Sequence, residues 1–157
     1  MTTIEMIVSL KVPDNVAITA FNTLRRMGYN KLQKLERSDY YKFDANGEIE
    51  NFKRQISNTD ILVNANKHKY NFNLNNNNNF KNKKIKKINV LVQDLDNGSG
   101  LLSTLKERLE FTNIKKLEKG ILWTMYFDKK ADAKKTAVNI AKELLMNENY
   151  QKYKIIG

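Results

Sequence analysis

The chain has 157 residues, 41% of them hydrophobic, with six glycines and one proline; this suits a globular core and excludes collagen-like and flexible-linker proteins. It has no run of eighteen apolar residues and no cysteine, which excludes a helical membrane span, disulfides and thiol nucleophiles. The net charge is +11, but seven lysines and no acid fall between residues 61 and 93, so most of the excess is local. A cytoplasmic protein with no secretory leader near Met1 is expected.

Residues 4–11 alternate partly and are rich in β-formers, so they read as a strand. Pro13, Asp14 and Asn15 then punctuate the chain. Ala17, Ala20, Phe21, Leu24 and Met27 follow at helical spacing. Asp14 is placed to cap the first amides of that helix, and Gly28 to take the left-handed position beyond its last turn. Residues 31–37 and 39–44 read as the two strands of a hairpin. Ile49, Phe52 and Ile56 mark a shorter helix, and residues 68–74 alternate as a half-buried strand does. The low-complexity run NLNNNNNFKNKKIKK, residues 73–87, buries little apolar area and reads as a solvated linker. Shortening residues 75–79 is expected to change stability by less than about 1 kcal/mol.

The second half follows the same plan. Residues 88–93 read as a strand, and Asp96, Asn97, Gly98 and Ser99 as a turn that caps a helix with the stripe Leu101, Leu102, Leu105 and Leu109. Residues 114–119 and 121–127 read as a hairpin with Gly120 at its tip. Ala133, Ala137, Ile140, Ala141, Leu144 and Leu145 form a long amphipathic helix, and residues 150–155 a last strand.

The halves also share letters. NANKHKY at 64–70 and NENYQKY at 147–153 match at four of seven positions. KLE recurs at 34 and 116, and FD at 43 and 127. Order and spacing are kept, with an offset between 82 and 84, which points to a tandem duplication. The expected fold is α+β: two β-α-β-β-α-β repeats, 1–74 and 85–157, joined by a linker at 75–84. Each repeat carries an antiparallel sheet with both helices on one face. A repeat this small leaves one sheet face bare, and joining two in one chain can cover it. The arrangement reads as a homodimer fused into one chain.

Catalytic signals are weak. One histidine and no cysteine leave no metal-ligand spacing, and no phosphate-binding glycine loop is present. His68 reads as an exposed strand histidine rather than a triad base. DNGSG, residues 96–100, reads as a helix-capping turn rather than a phosphate cradle.

The stretches MGYNKLQKLERSDYYKF (27–43) and AKELLMNENYQKYKI (141–155), with the strand-turn-helix start, resemble PurS, the small subunit of phosphoribosylformylglycinamidine synthase. Met27-Gly28-Tyr29 matches the family's helix ending, and Leu144-Leu145-Met146-Asn147 with Tyr153 its closing motif. Leu35-Glu36-Arg37 and Leu117-Glu118-Lys119-Gly120 match its hairpin motif in part. The family's Gly-Lys is replaced by Ser38-Asp39 in one half and by Gly120-Ile121 in the other. The family's turn is reduced to Pro13-Asp14 and Asp96-Asn97-Gly98. The resemblance implies a non-catalytic subunit of de novo purine biosynthesis that bridges a glutaminase subunit and a large synthetase subunit, with a homodimer as a further partner. ATP and Mg are then expected only in the large subunit, and no cofactor on this chain. Partner contacts are expected at Arg37, Ser38, Lys119, Gly120, Pro13, Asp14, Asp96 and Asn97.

Two other readings stay open. Residues 90–109 have the strand, Asp/Gly turn and apolar helix of an ACT-like small-molecule sensor. The lysine-rich segment fits phosphate contacts, but it lacks interleaved aromatic residues, so a nucleic-acid partner ranks last.

Overall fold

The alternating residues that open the chain form β1 (Thr2–Leu10), followed by α1 (Asn15–Arg26), β2 (Leu32–Ala45), α2 (Ile49–Ser57) and β3 (His68–Asn71). The second half gives β4 (Ile85–Asp94), α3 (Ser99–Glu107), β5 (Ile114–Asp128), α4 (Ala133–Ile140) and β6 (Gln151–Ile156). A π-helical turn, Ala141–Leu145, prolongs α4. The computed structural model describes residues 2–72, 85–95, 98–129 and 132–156. The linker at 75–84 and the turn residues Asp96 and Asn97 lie outside them. Among the described residues no helix is long and apolar enough to cross a membrane.

Local chemistry sets the ends of α1. The Val16 and Ala17 amides donate to Asp14 Oδ1 at 3.0 and 3.3 Å, which satisfies two donors that the first turn leaves open. Gly28 takes φ +104°, where an L side chain is strained, and lets the Tyr29 amide reach back to the Leu24 carbonyl. The Arg25 guanidinium donates to the carbonyls of Asn30 and Leu32 and ties the exit loop down.

The two expected hairpins do not form. β2 and β5 each run straight through the supposed turn, so each half is β-α-β-α-β. Neither Ser38-Asp39 nor Gly120 has the positive φ that a tight hairpin turn requires. The two strands instead pair with each other, from Leu32 opposite Phe127 to Ala45 opposite Ile114, and that long ladder holds both extended.

The expectation of two sheets is corrected in the same way. One antiparallel six-stranded sheet forms, in the order β3-β1-β2-β5-β4-β6. The halves meet edge to edge through β2 and β5, so neither covers the other's bare face. Pairing these strands removes two exposed edges, each of which would offer unpaired backbone groups to other chains.

The strand order reads as two mirrored triplets, and the pairing registers agree in detail. Ile7 of β1 faces Tyr40 on one side and Asn71 on the other. Leu91 of β4 faces Leu122 and Lys154. The KLE and NxNxxKY letters put Tyr40 with Leu122 and Asn71 with Lys154 in the same correspondence, whereas the FD letters do not: Ile4 faces Phe43 and Ile88 faces Met125, so Phe43 corresponds to Met125. At the centre, Asp39 lies directly opposite its own counterpart, Ile121.

The repeated NxNxxKY motif has a structural reason. Asn64 and Asn147 each accept, through Oδ1, the amide two residues on, at 3.0 Å. Their own amides donate to His68 Nδ1 at 3.0 Å and to Gln151 Oε1 at 2.9 Å. Each motif is an asparagine turn that launches the outermost strand of its half.

All four helices lie on one face of the sheet, as expected, in two pairs. Residues of α1 and α4 pack on Leu35, Val90, Val92, Trp123, Met125 and Phe127. Residues of α2 and α3 pack on Ile4, Met6, Val8, Phe43 and Leu117. Each pair joins one helix from each half, so both cores are shared. Phe43 and Phe52, fully buried and edge to face at 5.5 Å, anchor the second core. Each such side chain contributes roughly 1.5–3 kcal/mol by leaving water. Among the described residues no helix covers the opposite face, where Tyr40, Leu91 and Leu122 cluster with Ile7 and Ile156.

Candidate functional site

Between the two helix pairs, the helix-bearing face of the sheet carries a polar band. Side chains alternate along a strand, so Leu35, Arg37, Asp39, Tyr41 and Phe43 of β2 share one face. Leu35 and Phe43 belong to the two cores, which leaves Arg37, Asp39 and Tyr41 between them. Lys119 and Ile121 of β5 occupy the same band, between Leu117 and Trp123.

Both first helices begin beside this band. Arg37 donates from Nε to Asp14 Oδ2 at 2.9 Å and from Nη2 to Oδ1 at 3.2 Å. In the second half Gly98 caps α3 and lies against Leu117 and Lys119: a Cβ there would stand 3.3 Å from the Leu117 carbonyl oxygen and 3.7 Å from Lys119 Cγ. Gly98 is the counterpart of Asp14, and Lys119 that of Arg37.

A cavity opens at each of these two places. The first, about 140 Å³, is lined in part by Val8, Leu10, Arg37, Ser38 and Asp39. The second, about 230 Å³, is lined in part by their counterparts Val92, Asp94, Lys119, Gly120 and Ile121. The two differ in charge. Asp14 fills the first with an internal partner for Arg37, and His68 adds a half-buried ring. The second adds Asp39 and Tyr41 as walls shared across the centre.

The Asp39 side chain opens to solvent along the cleft, yet loss of water around it raises its carboxyl above the ordinary range, against the opposing pull of Arg37 and His68. The Tyr41 hydroxyl is pushed up to about 12 by burial, with the Asp39 charge adding to it. Both effects favour neutral groups at the centre of the band. On the opposite face burial drives the Tyr40 hydroxyl well above its ordinary value; it donates to Glu5 at 2.5 Å.

The structure therefore divides the residues expected at partner contacts. Pro13, Asp14, Arg37 and Lys119 line the cleft region on the helix side. The Ser38 side chain points to the other face, where its hydroxyl meets that of Ser9 at 2.8 Å. Gly120 is not a hairpin tip. It sits mid-strand, where a Cβ would fall 2.7 Å from the Val92 carbonyl oxygen and 2.8 Å from Leu91 Cδ1. Asp96 and Asn97 are outside the described residues.

Asp39, Tyr41, Asp94 and His68 were not anticipated at this site. The hairpin reading hid the first two by bending β2 at Ser38. Alignment of the two halves could have flagged His68, because Gln151 stands in its place. Among the described residues no three His, Asp or Glu side chains come together to hold a metal ion. A second, largely apolar groove of about 480 Å³ runs between α1 and the π-helical turn, over Trp123.

No protein-family model matches the chain, and no curated protein matches it.

Proposed function

We propose that this chain is a non-catalytic, PurS-like subunit of phosphoribosylformylglycinamidine synthase, a tandem duplication that stands in for a PurS dimer and bridges the glutaminase and synthetase subunits. One observation carries the duplication: Ile7 with Tyr40 and Asn71 has the same register as Leu91 with Leu122 and Lys154. The stretches at 27–43 and 141–155 carry the family resemblance. The polar cleft beside Pro13, Asp14, Arg37 and Lys119 supports a contact surface there, because it lies between the two hydrophobic cores and a partner can meet its polar groups without disturbing either. The test is reconstitution with a PurS-dependent glutaminase and large synthetase subunit, following glutamine-dependent amidation. Stimulation by the chain supports the reading. Full rate without it, or no association at low salt, defeats it.

A further inference from the structure

The apolar groove of about 480 Å³ over Trp123 is separate from the polar cleft. Val16 and Ala20 of α1 form one wall, Leu144 and Leu145 the other, and Trp123 the floor. Val16 is 50% exposed and Leu144 39%, so both walls stand open to solvent. Met27, at helical spacing beyond Val16, Ala20 and Thr23, is exposed too and prolongs the stripe. The repeat does not impose this groove. At the offset that matches Asp14 to Gly98, Val16, Ala20 and Thr23 correspond to Gly100, Thr104 and Glu107, a polar face. At the offset of the NxNxxKY motifs, Leu145 and Met146 correspond to Leu62 and Val63, which are buried, whereas Leu145 and Met146 are only partly so. One helix pair draws these side chains into its core; its counterpart leaves Leu145 on the wall of an open apolar groove, the kind of surface that marks a contact.

Charge selects the occupant. α1 carries Arg25 and Arg26 and no acid. α4 and the π-helical turn carry Lys134, Lys135 and Lys142 against one acid, Glu143, which lies beside the Tyr29 hydroxyl. The helices that form the groove thus hold five cations and one acid. A second copy of this chain seated there would bring those cations together, which disfavours it. A lipid surface is flat and does not reach Trp123 at the bottom of a groove. From Asn15 to Thr23 the α1 wall runs about 12 Å, at 1.5 Å per residue. An amphipathic helix laid in a groove of this length seats anchors at i, i+3 or i+4, and i+7.

We propose that this groove docks one amphipathic helix of a partner protein, with an apolar stripe over Trp123 and acidic residues on its flanks. The surface lies apart from the polar cleft, and the purified chain tests it without any synthase subunit, so its failure leaves the PurS-like reading standing.

The probe is a displayed library of tryptophan-free helices of about 18 residues, long enough to form alone. Each has a fixed leucine stripe and flanks drawn at random from Glu, Lys, Gln and Ser. The library is selected on the full chain, and synthetic copies of the enriched helices are titrated while Trp123 fluorescence is followed. Trp123 is the sole tryptophan, so its emission reports the groove floor. Val16→Glu and Leu144→Glu are compared with wild type and with Ile61→Glu, an exposed change at the counterpart of Leu144, with circular dichroism to establish folding. The expected result is enrichment of Glu over Lys in the flanks and saturable one-to-one binding with a Trp123 response. Each groove variant should weaken it about tenfold or more, as loss of a central contact requires, and Ile61→Glu should leave it unchanged. Enrichment of no helix overturns the proposal. So do flanks that prefer Lys or show no preference, or equal binding to wild type and to both folded groove variants. Sedimentation and vesicles of anionic phospholipid test the other occupants: self-association or vesicle binding that the groove variants abolish also overturns it.

Discussion

Arg37 holds Asp14 through two hydrogen bonds, at 2.9 and 3.2 Å, while the same carboxylate caps the first turn of α1. The contact ties a helix start to the middle of β2, and both side chains are more than two-thirds shielded from solvent. Removing Arg37 leaves a shielded carboxylate with only its cap role. Arg37→Met is expected to cost about 1–2 kcal/mol. Asp14→Ala, which also removes the cap, is expected to cost about 1 kcal/mol more. Urea denaturation of both variants measures this. Equal losses would mean that the cap contributes nothing.

Asp39 gives a pH-dependent prediction. Its folded-state carboxyl is raised by desolvation, so the folded chain holds that proton more tightly than the unfolded chain. The resulting stabilisation is present at low pH and is lost as pH rises through the folded value. Asp39→Asn removes this loss. At pH 7 the variant should be more stable than wild type, and the advantage should vanish below the ordinary carboxylate range. Thermal unfolding across pH tests both parts.

Gly120→Ala separates a strand interior from a turn. At an open hairpin tip the change would be mild. Here the added carbon meets the Val92 carbonyl oxygen at 2.7 Å and Gln93 Cγ at 2.9 Å. A loss of about 1–3 kcal/mol is expected from overpacking. A neutral result in chemical denaturation would contradict the continuous β5.

The shared cores predict that neither half folds alone. Trp123, the sole tryptophan, is buried against α1 of the other half. A fragment of residues 85–157 should therefore show solvent-exposed tryptophan fluorescence. Mixing it with residues 1–74 should shift the emission to the blue. A native-like spectrum from the fragment by itself would show that its core is self-sufficient.

Much of this fold is legible in the letters, for identifiable reasons. The stripe of Ala17, Ala20, Phe21 and Leu24, the Asp14 cap and Gly28 are local signals, and local interactions decide them. The duplicated turns at Asn64 and Asn147 are local as well. The misread elements are β2 and β5, because their extension depends on a partner about 80 residues away. Ser38-Asp39 and Gly120 look like turn chemistry taken alone, and only the ladder between the strands overrides it. The cleft was half visible for the same reason. Arg37, Asp14 and Lys119 stood out in the motifs, whereas Asp39, Tyr41 and Asp94 join them only once β2 runs straight beside β5.

The pair Asp39–Ile121 has an evolutionary consequence. Were the halves two identical molecules, this position would face itself across the symmetry axis. Whatever residue stood there would meet its own copy, and an aspartate would meet an aspartate, with like charges directly opposed in a sheet. A single chain escapes that restriction, because each side of the axis is encoded separately. An acid can then evolve on one side while an aliphatic residue supports it on the other. Encoding both halves in one chain thus frees the one position that a symmetric pair of identical chains would constrain most.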